Sequence, residues 1–128
     1  VKIRIIVLLL GLCFIGCTQN NATITVQNKS ATTIWDLTVT LSGQGNMKAR
    51  DTLLVNQSCQ FVFSDFSDGA YEVGFKSESI FRDTCCIVFK DTVGYVTDGM
   101  SFNDRAEIVN DSMGNYSILF SSTSETNY

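Results

Sequence analysis

The chain has 128 residues, with thirteen acidic against nine basic side chains, five cysteines, no histidine and no proline. A net charge of −4 without a basic cluster argues against nucleic acid or anionic lipid headgroups as partners. Without histidine, a Ser or Cys nucleophile lacks its ordinary general base, and a zinc site lacks one of its usual ligands.

In chain order, Lys2 and Arg4 precede an unbroken apolar run from Ile5 to Ile15, closed by Gly16 and Cys17. As a helix this run reaches about 17 Å at ~1.5 Å per residue, against a hydrocarbon core of ~30 Å. It is too short for a permanent span and reads as a cleavable export signal. Its end, Phe14, Ile15, Gly16 and Cys17, resembles the lipobox of bacterial lipoproteins, with Phe14 in place of the usual Leu. That resemblance implies cleavage before Cys17, acylation of its thiol, and anchoring through several acyl chains. Thr18, where an Asp would favour inner-membrane retention, implies an outer-membrane destination. The alternative is an ordinary signal cut near Gly16, which releases a secreted protein.

From Ala22 onward the pattern has period two. Ile24 and Val26 alternate with Thr23, Thr25 and Gln27; after a turn at Asn28 to Ala31, Trp35, Leu37, Val39 and Leu41 share one face of a second strand. These two runs read as a hairpin. A weaker strand lies within Met47 to Val55, and Cys59, Phe61 and Phe63 face one way in the next. Tyr71, Val73 and Phe75 form a half-buried strand after the turn-rich Ser64 to Gly69. Phe81 to Lys90 continues the rhythm, with Phe81, Cys85, Ile87 and Phe89 on one face, followed by a short run from Val93 to Thr97 and a turn at Asp98-Gly99. Ala106 to Val109 and Tyr116 to Phe120 read as a terminal hairpin.

The expected architecture is all-β: a single antiparallel β-sandwich of seven to nine short strands over 23–121. A signal helix (1–16) and a lipidated tether (17–22) precede it, and a flexible tail (122–128) follows. The Asn28-Lys29-Ser30 turn, Leu53, Phe61-Val62-Phe63 and Gly69-Ala70-Tyr71-Glu72-Val73 resemble small immunoglobulin-like or transthyretin-like modules of bacterial surface lipoproteins over about Ile24 to Phe75. Because the usual catalytic parts are missing, the expected role is non-enzymatic, in binding or assembly through loops or an edge strand.

Three cysteines remain if Cys13 is discarded with the signal and Cys17 is acylated. Parity points Cys59 and Cys85 into the core, and an oxidising envelope favours a Cys59–Cys85 disulfide stabilising by roughly 3 kcal/mol. Cys86 is then a candidate free thiol, flanked by Arg82 and Lys90; a vicinal Cys85–Cys86 bond is the strained rival. Asp65, Asp68, Asp83, Asp91, Asp98 and Asp104 are read as turn residues, where a carboxylate first caps backbone. A secreted enzyme or inhibitor built on them is the alternative to a non-enzymatic protein. Asp51-Thr52-Leu53, Asp91-Thr92-Val93 and Asp111-Ser112-Met113 resemble bacterial O-glycosylation motifs. Tyr95, Phe102, Tyr116 and Tyr128 are candidates for a glycan- or peptide-binding face, against a bland reading as core or strand-end residues. No metal or cofactor is expected, and the expected partners are the membrane, through the anchor, and an envelope protein or glycan.

Overall fold

The structure, a computed structural model, describes residues 21–42, 46–77 and 87–125. They form eight strands: β1 (Asn21–Asn28), β2 (Ile34–Leu41), β3 (Asn46–Leu53), β4 (Ser58–Ser64), β5 (Gly69–Ser77), β6 (Ile87–Val96), β7 (Ser101–Asn110) and β8 (Tyr116–Glu125). The fold is all-β, with two four-stranded sheets ordered β4-β1-β7-β8 and β3-β2-β5-β6. The signal run, Cys17, and the stretch carrying Cys85 and Cys86 lie outside the described residues.

Alternation determines which side chains meet between the sheets. Ile24 and Val26 of β1, Val39 and Leu41 of β2, Phe61 and Phe63 of β4, Tyr71, Val73 and Phe75 of β5, and Ala106 and Ile108 of β7 share one buried cluster. Fully burying an aliphatic or aromatic side chain stabilises by about 1.5–3 kcal/mol, so this shared face holds the two layers together.

Several sequence-based expectations are corrected. β1 and β2 are not a hairpin: β1 pairs antiparallel with β4 and parallel with β7, while β2 pairs with β3 and β5 in the other sheet. The first sheet is therefore mixed, not wholly antiparallel. The cause is visible at Asn28, whose side chain is fully buried. Its Nδ2 donates to the carbonyls of Thr32 (2.8 Å) and Leu53 (3.0 Å), and its Oδ1 accepts from Ser30 N (3.0 Å) and Ser30 Oγ (2.6 Å). Those four bonds use its full hydrogen-bonding capacity and turn the chain across to the second layer instead of back along the first.

Trp35 does not share the face of Leu37. The β2–β5 register shifts between Trp35 and Thr38, and Asp36 adopts a φ of 48°. One extra residue in this bulge puts Ile34, not Trp35, on the core side, and Asp tolerates the left-handed backbone better than most residues. The runs around Lys90 and Val93 are one strand, β6, because a second register shift opposite Tyr71/Glu72 lets the chain absorb an extra residue without breaking. β7 begins at Ser101 rather than Ala106, and β8 continues to Glu125, so residues 122–125 pair with β7.

Candidate functional site

The sides of the two layers differ. Where β6 and β8 meet, aromatic rings fill the gap: Phe75 stacks on Phe89 at 5.0 Å and meets Tyr116 edge-on at 5.3 Å. Phe120 occupies the space that a side chain on Gly94 would need. Thr32 Oγ1, Ser77 Oγ and Tyr116 Oη close a triangle of hydroxyls at 2.9, 2.5 and 2.6 Å, joining the β1–β2 loop to β5 and β8. Each hydroxyl can donate once around such a ring while accepting once.

The opposite side is a groove. β3 and β4 are edge strands of different sheets, and between them Lys48, Ala49, Arg50, Cys59, Gln60, Phe61 and Val62 line a cavity of about 450 Å³. Lys48 and Arg50 pair in register with Val39 and Leu37, both fully buried, so the two cations occupy positions whose parity points inward. Lys48 Nζ lies 6.0 Å from the centre of the Phe63 ring, within cation–π range. Arg50 Nε donates to the carbonyl of Thr52 at 3.1 Å.

Charge pairing elsewhere marks these two residues out. Lys29 and Arg105 both reach Glu107 at 3.1 Å, Lys76 reaches Asp36 at 3.2 Å, and Lys90 reaches Glu72 at 3.0 Å. Among the described residues, Lys48 and Arg50 are the basic side chains that have no carboxylate within salt-bridge distance. A smaller depression of about 300 Å³ lined by Thr25, Asn103, Asp104, Arg105, Ser121 and Ser122 differs in this respect, because its cation is already neutralised by Glu107.

Cys59 sits in the groove half-buried, and it is a free thiol. Burial pushes its pKa up, with the Arg50 charge opposing, so the neutral thiol is the resting form. Its expected partner, Cys85, lies outside the described residues, as do Cys17, Cys86, Asp83 and Tyr128. Lys90, expected beside Cys86, is held by Glu72.

The remaining candidates separate. Tyr95 is 61% exposed on the outer face of β6, whereas Phe102 is 8% exposed in the core and Tyr116 belongs to the hydroxyl triangle. Asp68 Oδ1 accepts from Asp98 N at 2.7 Å, and Asp111 Oδ1 accepts from Met113 N and Asn115 N at 2.9 Å each, which is turn capping. Backbone N–H groups of that turn, foremost that of Asn115, hold the Asp111 carboxyl below its usual range. Thr92 and Ser112 of the glycosylation-like motifs are exposed, and Thr52 is partly so.

Asp104 is the correction among the acids. It is no turn residue but a β7 side chain only 1% exposed, facing the core from between Phe102 and Ala106. Ser122 Oγ donates to its Oδ1, and Tyr71 approaches from the other sheet. Desolvation raises the Asp104 pKa, which favours the neutral acid. The sequence carried a signal for this: Phe102, Asp104, Ala106 and Ile108 keep a strict period of two, concealed when the strand is started at Ala106. Lys48 and Arg50 were missed because exposed charges on an edge strand look like an ordinary polar stretch. Among the described residues, no three His, Cys, Asp or Glu side chains converge as a metal cluster would. No protein-family model matches the chain, and no curated protein matches it in sequence.

Proposed function

We propose that this protein is a lipid-anchored cell-envelope binding module: a β-sandwich tethered at the outer membrane through Cys17, with the β3–β4 groove as its ligand site. The observation that carries the binding role is the pair of exposed cations lining the groove, Lys48 and Arg50, without carboxylate partners among the described residues of an acidic chain. Two unneutralised cations on one face give the groove a local positive potential in an acidic chain, which attracts an anionic ligand. A protonated thiol beside them fits binding better than nucleophilic chemistry.

Of the two module types that the sequence resembles, the topology favours the transthyretin-like one. An immunoglobulin sandwich keeps its first two strands in one sheet, while here β1 and β2 lie in different sheets. The anchor rests on the Gly16-Cys17 junction after the apolar run and on the short interval before β1 opens at Asn21. A lipid on Cys17 would hold the domain close to the bilayer, with the end carrying the β4–β5 and β6–β7 turns toward it.

Radiolabelled palmitate fed to cells expressing the full chain tests the anchor. Label is expected in the wild type and absent in Cys17→Ala, with the wild type fractionating with envelope membranes. An unlabelled wild type would remove the lipoprotein reading.

A further inference from the structure

We infer that the β3–β4 groove takes an extended acidic peptide segment, added as a fifth strand along β3 with acidic side chains at alternate positions. This deepens the proposed binding role and rests on it.

Three features of the groove specify that ligand. The first is backbone: among the described residues β3 pairs with β2 and β4 with β1 and with no other strand, so each of the two strands flanking the groove has one edge of N–H and C=O groups without a described partner. An open edge is a template for another strand, and main-chain hydrogen bonds supply affinity in such additions. The second is spacing. Lys48 and Arg50 are two residues apart on a strand, about 6.8 Å at ~3.4 Å per residue. An incoming strand in register presents its own side chains on that face at the same interval, so acidic residues at i and i+2 would meet Lys48 and Arg50 as direct cross-strand pairs. A single compact anion could reach one cation well and the other poorly.

The third feature is the floor. Phe61 and Phe63 of β4 are buried beneath the groove, and Cys59 partly so. The aliphatic stems of acidic residues could cover that surface while their carboxylates reach the cations. On the other side, among the described residues, Phe120 over Gly94 and the Phe75, Phe89 and Tyr116 rings fill the gap between the layers.

The same cations discriminate between occupants. Two copies of this chain pairing β3 to β3 would set Lys48 and Arg50 of one against those of the other, and like charges placed directly opposite are destabilising. The edge is thus closed to self-association and open to a strand of opposite charge.

The test uses full-length protein in non-ionic detergent and fluorescein-labelled peptides read by anisotropy. The alternating Glu/Val peptide should bind, and binding should weaken at least about tenfold in Lys48→Glu/Arg50→Glu. That double variant should in turn bind the alternating Lys/Val peptide, which also shows that it is folded. A Glu/Val peptide N-methylated at alternate residues should fail to bind. Equal binding of the N-methylated peptide would overturn strand addition and leave a simple anion site. If neither the Glu/Val peptide nor polyglutamate binds, both this inference and the groove's binding role fall.

Discussion

Tyr71 and Asp104 approach each other from opposite sheets inside the core, and they contribute the two buried side-chain polar atoms, Tyr71 Oη and Asp104 Oδ2, that lack a well-formed hydrogen bond among the described residues. Burial is the leading reason that both acids are weakened, and their proximity raises the tyrosine further.

The pH dependence follows from the sign of the Asp104 shift. A carboxyl whose folded pKa lies above its unfolded value binds more protons in the folded state, so its contribution declines as pH rises from the ordinary carboxylate range through the raised folded value. Asp104→Asn keeps an acceptor for Ser122 Oγ and places an amide donor toward Tyr71, without a charge to bury. We expect Asp104→Asn to be more stable than wild type by about 1 kcal/mol at neutral pH, with the advantage vanishing on acidification below the unfolded carboxylate pKa. Urea midpoints of both proteins across the pH range check this. An advantage that grows toward acid would refute the assignment.

Asn28 should be the most sensitive polar position. Its amide makes four hydrogen bonds while fully buried, and its backbone also exchanges bonds with Gln57 and Asn56. Asn28→Ala strands the carbonyls of Thr32 and Leu53 together and should cost about 3 kcal/mol. Asn28→Asp preserves the bonds from Ser30 but turns an acceptor toward those carbonyls, so it should rescue little. Denaturant unfolding monitored by the Trp35 fluorescence would measure both.

Tyr116→Phe isolates the hydroxyl triangle from the ring packing around it. The phenyl ring keeps its edge contact with Phe75, while Thr32 Oγ1 and Ser77 Oγ lose a shared partner. A loss of about 1–2 kcal/mol is expected. A loss near that of Tyr116→Ala would mean that the ring, not the hydroxyl, was misjudged.

Gly94→Ala tests the closed side of the fold. A methyl group there would enter the space of the Phe120 ring, and crowding of this kind costs about 1–3 kcal/mol. Gly94→Ala combined with Phe120→Leu should recover part of the loss, so a double-mutant cycle with strictly additive effects would argue against direct contact.

Most of this fold is legible in the alternation of side chains. Tyr71, Val73 and Phe75, or Phe61 and Phe63, declare their strands and their buried faces because nothing interrupts the period of two. Trp35 shows where the rule stops: a bulge at Asp36 changes parity by one residue, and no local pattern announces it. The pairing of β1 with β7 depends on residues some eighty positions apart, which local periodicity does not encode. The groove was hidden for a related reason. Lys48 and Arg50 gain meaning only when β3 is known to be an edge, next to another edge, with every other described cation already paired.

Cys59 offers a direct probe of that groove. Its thiol is half-buried and its pKa is raised by burial, with Arg50 as the opposing influence. Alkylation by iodoacetamide should therefore be slower than for a free cysteine peptide at neutral pH and should accelerate with rising pH beyond the ordinary thiol range. Arg50→Gln removes the one influence favouring the thiolate, so it should slow alkylation further, although it trims a side chain that lines the cavity. If Arg50→Gln instead speeds the reaction, access rather than charge governs Cys59, and the electrostatic picture of the groove is wrong. The Glu/Val peptide, bound along β3, should protect Cys59 from the reagent in wild type but not in Lys48→Glu/Arg50→Glu. A non-reducing peptide map of the protein purified without reductant completes the measurement: Cys59 recovered as the alkylated thiol agrees with a free thiol in the groove, whereas recovery in disulfide with Cys85 would place a covalent bond at its floor and remove the thiol from the site.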